Sequence, residues 1–243
     1  MLSALSHDSP RGVQLAWVSD IQLLSVGHSA GSMRQLRFYS IEGDCLKVGG
    51  SLSLDVSPAV LFPHYDPDTS ILWLWCKGSS TVLSFDVHPE NERQPFAQLP
   101  PFTGGSLQNG LAFLPKTDVD VKAVEVMKAL RLTMREIQEV TWKVPRRHTE
   151  RFQDDVFPPT RGLPVASPDA WQAGEACDPP RIDLRPEGMG NCASSTSRLS
   201  SSVELTSWPL ISVRDAQGAD DGRQGEAQGA SGLDHSNPCT PPS

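Results

Sequence analysis

The stretch PAVLFPHYDPDTSILWLWCKG, residues 58–78, decides the fold. Residues 71–75 are apolar at every position, so a strand here must have both faces covered. A run this short is a strand rather than a buried helix. Asp66-Pro67-Asp68-Thr69 just before it is a turn. Asp in first position accepts backbone N–H bonds, and Pro presets the next φ. A calcium loop would need further oxygen ligands close by, and they are missing. Asp66 and Asp68 are therefore read as structural turn residues. A strand covered on both faces belongs inside a stack of sheets.

The neighbouring segments agree. Val13, Leu15 and Trp17 alternate, as do Ile21 and Leu23 before Gly27. Leu36 and Phe38 point one way, Arg37 and Tyr39 the other. Leu52, Leu54 and Val56 repeat the pattern, then Leu83, Phe85 and Val87. Breaks fall at 27–32, 42–50, 63–69, 77–80, 88–95 and 100–109. A break every 8–12 residues or so marks a sandwich, barrel or propeller. Residues 121–132, VKAVEVMKALRL, are ambiguous. Propensity favours helix, while the even positions Val124, Val126, Leu130 and Leu132 alternate as in a strand. Val140, Trp142 and Val144 alternate more clearly, up to Pro145. A faint repeat begins near residues 11, 58 and 109. Four-stranded propeller blades recur with a period of about 40–50 residues, so residues 11–144 hold about three. Residues 1–10 have no strand pattern and are expected to be flexible.

Composition changes near residue 160. All six Lys lie at or before Lys143, and all eight Phe at or before Phe157. Residues 177–243 are rich in Ser, Gly, Ala, Pro and Asp, too poor in apolar area to offset chain entropy, and are expected to be disordered. Within them only 203–211, VELTSWPLI, is notably apolar. A net charge of −8 disfavours nucleic acid as a partner. No apolar run approaches the roughly 20 residues of a membrane-spanning helix. MLSALSHDSP lacks the basic start and apolar stretch of a signal peptide, so a cytoplasmic location is expected. The five Cys (45, 76, 177, 192, 239) show no CxxC or Cys/His spacing, so free thiols, no metal and no cofactor are expected.

Candidate chemistry is thin. Gly27-His28-Ser29-Ala30-Gly31 fits G-x-S-x-G, the strand-to-helix elbow of a serine nucleophile. The segment after it alternates like a strand, and a triad would have to draw on distant Asp120 and His148. A Gly-flanked β-turn is the better reading. Asp154 and Asp155 are adjacent, which points their carboxylates apart on an extended chain; they are read as surface or loop-capping groups. Lys143, Arg146, Arg147, His148 and Arg151 form the one concentrated basic cluster, suited to an acidic protein surface or, less well, acidic phospholipid. No phosphate-binding loop or dinucleotide fingerprint occurs.

Several strings together resemble the coronin family. They are YDPDT (65–69) followed by an apolar strand and Lys77-Gly78, LPK (114–116), VPR (144–146), FQDDVFPPT (152–160) and SMRQLRFY (32–39). They occur in family order over about 11–176, and the wording is most similar to the second propeller of the long, tandem coronins. There are departures. Ser79 stands where coronins have Asp after Lys-Gly, and Cys76 replaces a Gly. Pro159 replaces the Asp of P-D-T, and Met33 replaces the Glu of S-E-R-Q. The tail shows neither a coiled-coil heptad nor an acidic, Trp-containing end.

The resemblance implies an all-β chain, a partial WD-type β-propeller with about three blades of a seven-bladed fold. Residues 145–176 would be an extension bracing it, and residues 121–132 a strand of the last blade. It implies a non-enzymatic scaffold tied to F-actin regulation and to Golgi and vesicle trafficking, with peripheral membrane association. A WD-type adaptor for trafficking or ubiquitin-ligase proteins, without actin binding, is the alternative. The expected partner contacts are Arg146, Arg147 and Arg151, with Lys77 and Lys116 on turns. Three blades cannot close a ring, so apolar faces and strand edges are expected to stay open.

Overall fold

The computed structural model describes residues 3–162, 167–174 and 179–191. The first sheet is a meander of β1 (Gln14–Ser19), β2 (Gln22–His28), β3 (Met33–Glu42) and β4 (Cys45–Val56). The second repeats it with β5 (Phe62–Asp66), β6 (Ile71–Trp75), β7 (Thr81–Val87) and β8 (Phe96–Thr103). The third holds β9 (Gly110–Phe113), β10 (Glu125–Leu132) and β11 (Ile137–Lys143). Their first strands start at Gln14, Phe62 and Gly110, 48 residues apart in each case. All neighbouring strands are antiparallel. The arrangement is a partial, unclosed propeller: three blades, the last with three strands among the described residues.

The middle blade carries the packing. Leu72, Leu74, Cys76, Phe85 and Val87 face Val18, Leu24, Val26, Leu36 and Phe38 of the first blade. Ile71, Trp73, Val82, Leu99 and Phe102 face Val126, Met127, Ala129, Val140 and Trp142 of the third. Trp73 and Trp142 meet with ring centroids 5.8 Å apart, within the range where aromatic pairs attract. Successive residues of β6 thus enter different cores, which is why every position in residues 71–75 is apolar.

Four expectations need correcting. The breaks at 63–69 and 100–109 overlap β5 and β8, which include Pro63, Pro100 and Pro101. Both are edge strands of their sheet, where half of the N–H groups face no partner, and Pro100 and Pro101 fall at the register shift of β8 against β7. Val124 and Val126 are buried as the alternation expects, but past the register shift between Glu125 and Met127 the odd positions of β10 turn inward: Met127, Ala129 and Arg131 are buried, whereas Leu130 and Leu132 are exposed. Residues 121–123 form a 3-10 turn ahead of the strand, capped by the Asp120 side chain accepting from Ala123 N at 3.2 Å.

Residues 3–10 lie against the first sheet rather than hanging free. His7 is buried and its Nε2 is 2.8 Å from Ser25 Oγ, which donates to Tyr39 OH at 3.1 Å. Arg37 Nη1 donates to Ser6 O at 2.7 Å. The His7 ring occupies the space that a Cβ on Gly27 would need.

The disordered segment expected from residue 177 is also too long. Arg181–Ile182 (β13) pairs antiparallel with Thr160–Arg161 (β12). Leu184 and Met189 pack on the second core, and Arg185 lies 4.8 Å from the Phe152 ring centroid. This segment gains its order by docking, not from its own apolar content. Residues 192–243, including 203–211 and Cys192 and Cys239, lie outside the described residues, as does Cys177. Between β12 and β13 runs a short helix, α1 (Pro168–Gln172), capped by Ser167.

Candidate interaction surface

Strand direction separates the fold into two ends. The β5–β6 turn (residues 66–70) and the β9–β10 connection lie at one end, joined by an ion pair between Lys116 Nζ and Asp66 Oδ2. β11 finishes at that end, because Lys143 pairs with Glu125 at the start of β10. The segment bearing Arg146, Arg147 and Arg151 begins there. Lys77 lies in the β6–β7 turn, at the opposite end. The structure therefore does not bring Lys77 together with the arginine cluster.

Lys116 is not a surface contact. Its side chain is 8% exposed and Asp66 is 6% exposed. The ammonium also donates to Val126 O at 2.7 Å. Asp66 accepts from Asp68 N at 3.1 Å and from Thr69 Oγ1 at 2.7 Å, which closes the turn. Asp68, 8% exposed, takes the Thr160 hydroxyl and fastens the extension to the second blade. Both aspartates are spent on structure.

The basic cluster is partly neutralised. Arg146 Nη2 donates to Asp155 Oδ2 at 2.5 Å. Lys143 Nζ is 3.7 Å from Glu125 Oε2. His148 Nδ1 is 3.0 Å from Glu150 Oε1; the backbone N–H of Glu150 first, and then this contact, hold that carboxyl below its usual range. Arg147 and Arg151 are exposed and make no ion pair among the described residues, and Asp154 is exposed beside them. At the same end Arg161 and Arg181 line a 650 Å³ cleft with Trp17, Asp20, Tyr65 and Pro67. Trp17 is 62% exposed there. Sequence reasoning missed this pair, because they are 20 residues apart and meet through β12 and β13.

The hydrolase geometry is absent. Residues 27–31 lie at the β2–β3 hairpin: Ser29 N donates to Met33 O at 2.8 Å, and Ser32 N to Ser29 O at 3.1 Å. No helix follows, and Ser32 takes φ 61° to turn the chain. His28 is buried with Nε2 3.0 Å from Ser57 O. Asp120 caps a turn of the third blade, far from Ser29 in the first. Among the described residues no three His, Cys, Asp or Glu gather as metal ligands, and no helix is long and apolar enough to cross a membrane.

The departures from the coronin strings are accommodated. Ser79 Oγ still accepts from Thr81 N at 3.0 Å, and Pro159 O accepts from Arg181 at 3.4 Å. Cys76 is buried, its sulfur 3.6 Å from Arg34 Nη1.

A family model described as a type of WD40 repeat matches residues 137–179. Human coronin-7 is 40% identical over 185 residues, 74% of this chain and 20% of that relative. Mouse coronin-7 is 39% identical over 184 residues, with the same coverage of both. The chain thus spans about a fifth of the length of the curated relatives it matches. The crystal structure of the WD40 domain from Toxoplasma gondii coronin is similar at a TM-score of 0.66 and 21% identity, over 74% of this chain and 47% of that one. That likeness identifies the fold, and its share of the other chain fits an unclosed set of blades. Taken with the ordered strings between residues 32 and 160, these matches support the coronin family of WD-repeat proteins for this chain.

Proposed function

We propose that this chain is a non-enzymatic scaffold that contacts an acidic protein surface, the actin filament in the first instance, through the end of the propeller where β11 finishes. The observation that carries the reading is that exposed Arg147, Arg151 and Arg161 make no ion pair among the described residues at that one end, in a chain of net charge −8, while Arg181 Nη1 is 3.8 Å from Asp68 Oδ1. Charge of one sign gathered on one face steers and orients an oppositely charged partner. Arg146 orders this segment through Asp155, and Lys77 belongs to a different surface. The family resemblance adds a cytoplasmic, cytoskeletal setting and Golgi-linked trafficking as the context for such contacts.

Co-sedimentation with actin filaments tests this. The full chain should pellet at low salt and less at high salt, and Arg147→Glu/Arg151→Glu should weaken pelleting by about tenfold or more. Pelleting that ignores both salt and charge reversal would rule out this face. No pelleting by a chain whose folding is confirmed would favour the adaptor reading, in which the same surface meets another acidic protein.

A further inference from the structure

The two outer blades each present one face to the middle blade and turn the other away from it. In the first blade, Leu24, Val26, Leu36 and Phe38 meet the second. The alternate positions face outward: Leu15, Ser25 and Arg37 stand in one cross-strand row, and Leu23, Tyr39 and Val48 in the next. Leu15 is 65% exposed. Residues 3–10 lie on this face without closing it: Tyr39 OH donates to Leu5 O at 3.4 Å, and Leu5 itself stays exposed. In the third blade, Met127, Ala129, Val140 and Trp142 meet the second. Its outward rows are Ala112, Leu130 and Glu139, then Gly110, Leu132 and Ile137. Ile137 is 67% exposed.

Each chain thus carries two unlike apolar faces, one at either end of its run of blades. Both are of the kind that its own two seams bury, where blade meets blade over Leu, Val, Phe and Trp. Open apolar patches on a folded protein mark interaction sites. The occupant has to offer a blade face of the complementary sense, and a second copy of the chain offers one. Its first blade can follow the third as the second follows the first. A half-turn makes the reverse contact identical, so both open faces are covered together. The ring so formed has six blades, inside the range of about four to eight that propellers use. Charge fits as well. Arg37 on the first-blade face makes no ion pair among the described residues, while Glu139 on the third-blade face is half exposed, 3.7 Å from Lys128 Nζ. Opposite signs therefore stand on the faces that would meet.

We propose that two copies of this chain associate about a twofold axis, the open face of the first blade of each on the open face of the third blade of the other. This surface is separate from the arginine end, since neither Leu15 nor Ile137 belongs to it.

Sedimentation equilibrium on the full 243-residue chain tests the proposal. The mass should rise with concentration from one chain to two and stop there. Leu15→Arg and Ile137→Glu should each weaken association by about tenfold or more, because each puts an unpaired charge into both seams. An equimolar mixture of the two variants should associate more tightly than either alone, because the mixed pair regains one unaltered seam. A variant that had merely unfolded would not be rescued in this way. A single-chain mass at every concentration overturns the proposal, and so does a mass that climbs past two chains, which would mean an open stack. Association that only one substitution weakens would assign like face to like face and overturn it too. So would association that neither weakens, or a mixture no tighter than its components.

Discussion

Lys116→Met separates the structural role of this lysine from the surface role expected from its position after Leu114-Pro115. The ammonium and the Asp66 carboxylate are both under 10% exposed. Removing the charge leaves Asp66 buried with two neutral donors, Asp68 N and the Thr69 hydroxyl. Val126 O loses its donor as well. Breaking a buried pair from one side costs about 3–5 kcal/mol. For a fold of this size each kcal/mol moves Tm by about 2–4 °C, so a fall of roughly 6–20 °C is expected. Asp66→Asn/Lys116→Met should recover a large part of the loss, because no uncompensated charge remains. Urea and thermal unfolding of the single and double variants, followed by circular dichroism, measures both effects. A change within about 0.5 kcal/mol for Lys116→Met, the usual size for a surface site, would refute the buried pair.

Acid should destabilise the fold. Burial, then the Arg37 charge, lowers the His7 pKa, and burial lowers that of His64, which stacks 4.0 Å from Phe113. A depressed histidine costs nothing above its unfolded value near 6.5; below that the unfolded chain takes up protons first, so stability falls with pH. The urea midpoint at pH 5.5 should lie below that at pH 7.5, and His64→Phe should flatten the difference; equal midpoints would contradict it. Gly50→Ala places a methyl 2.6 Å from Arg93 O and should cost about 1–3 kcal/mol, whereas Gly31→Ala, with open space around it, should cost much less in the same unfolding assay. Phe152→Ala should cost about 3–5 kcal/mol and expose residues 181–191 to protease, with the first blade unaffected. Intact 181–191 in that variant would show that docking on Phe152 is not what orders them.

The fold was legible wherever a strand is local and its burial is two-sided. Residues 71–75 announce a central strand because no other arrangement covers five apolar residues in succession. Three units and their approximate starts also follow from the pattern. What was hidden depends on partners far along the chain. Lys116 reads as a turn lysine because Asp66 is 50 residues away. Arg131 reads as an outward residue, yet it is fully buried. Ser106 O and Gln138 accept from it, and the Phe102 ring lies 5.6 Å away. It shares the inward face of β10 with Met127 and Ala129, past the register shift after Glu125. Pro63, Pro100 and Pro101 hid two strands because an edge position cannot be seen before the sheet is known. The arginine face was half legible: Arg147 and Arg151 stand in the cluster, whereas Arg161 and Arg181 join only after β12 and β13 pair.

The division of β6 between two cores also limits how this chain can vary in length. In an ordinary amphipathic strand, a one-residue deletion misplaces a single apolar row against a single neighbour. Here it would send Trp73 toward the first blade and Leu72 and Leu74 toward the third, putting a large ring into a space shaped for leucines and a void beside Trp142. Both seams would fail from one event. The middle repeat is therefore the segment least able to tolerate insertion or loss of a residue, while the exposed turn at residues 43–44 can absorb either without reaching a seam.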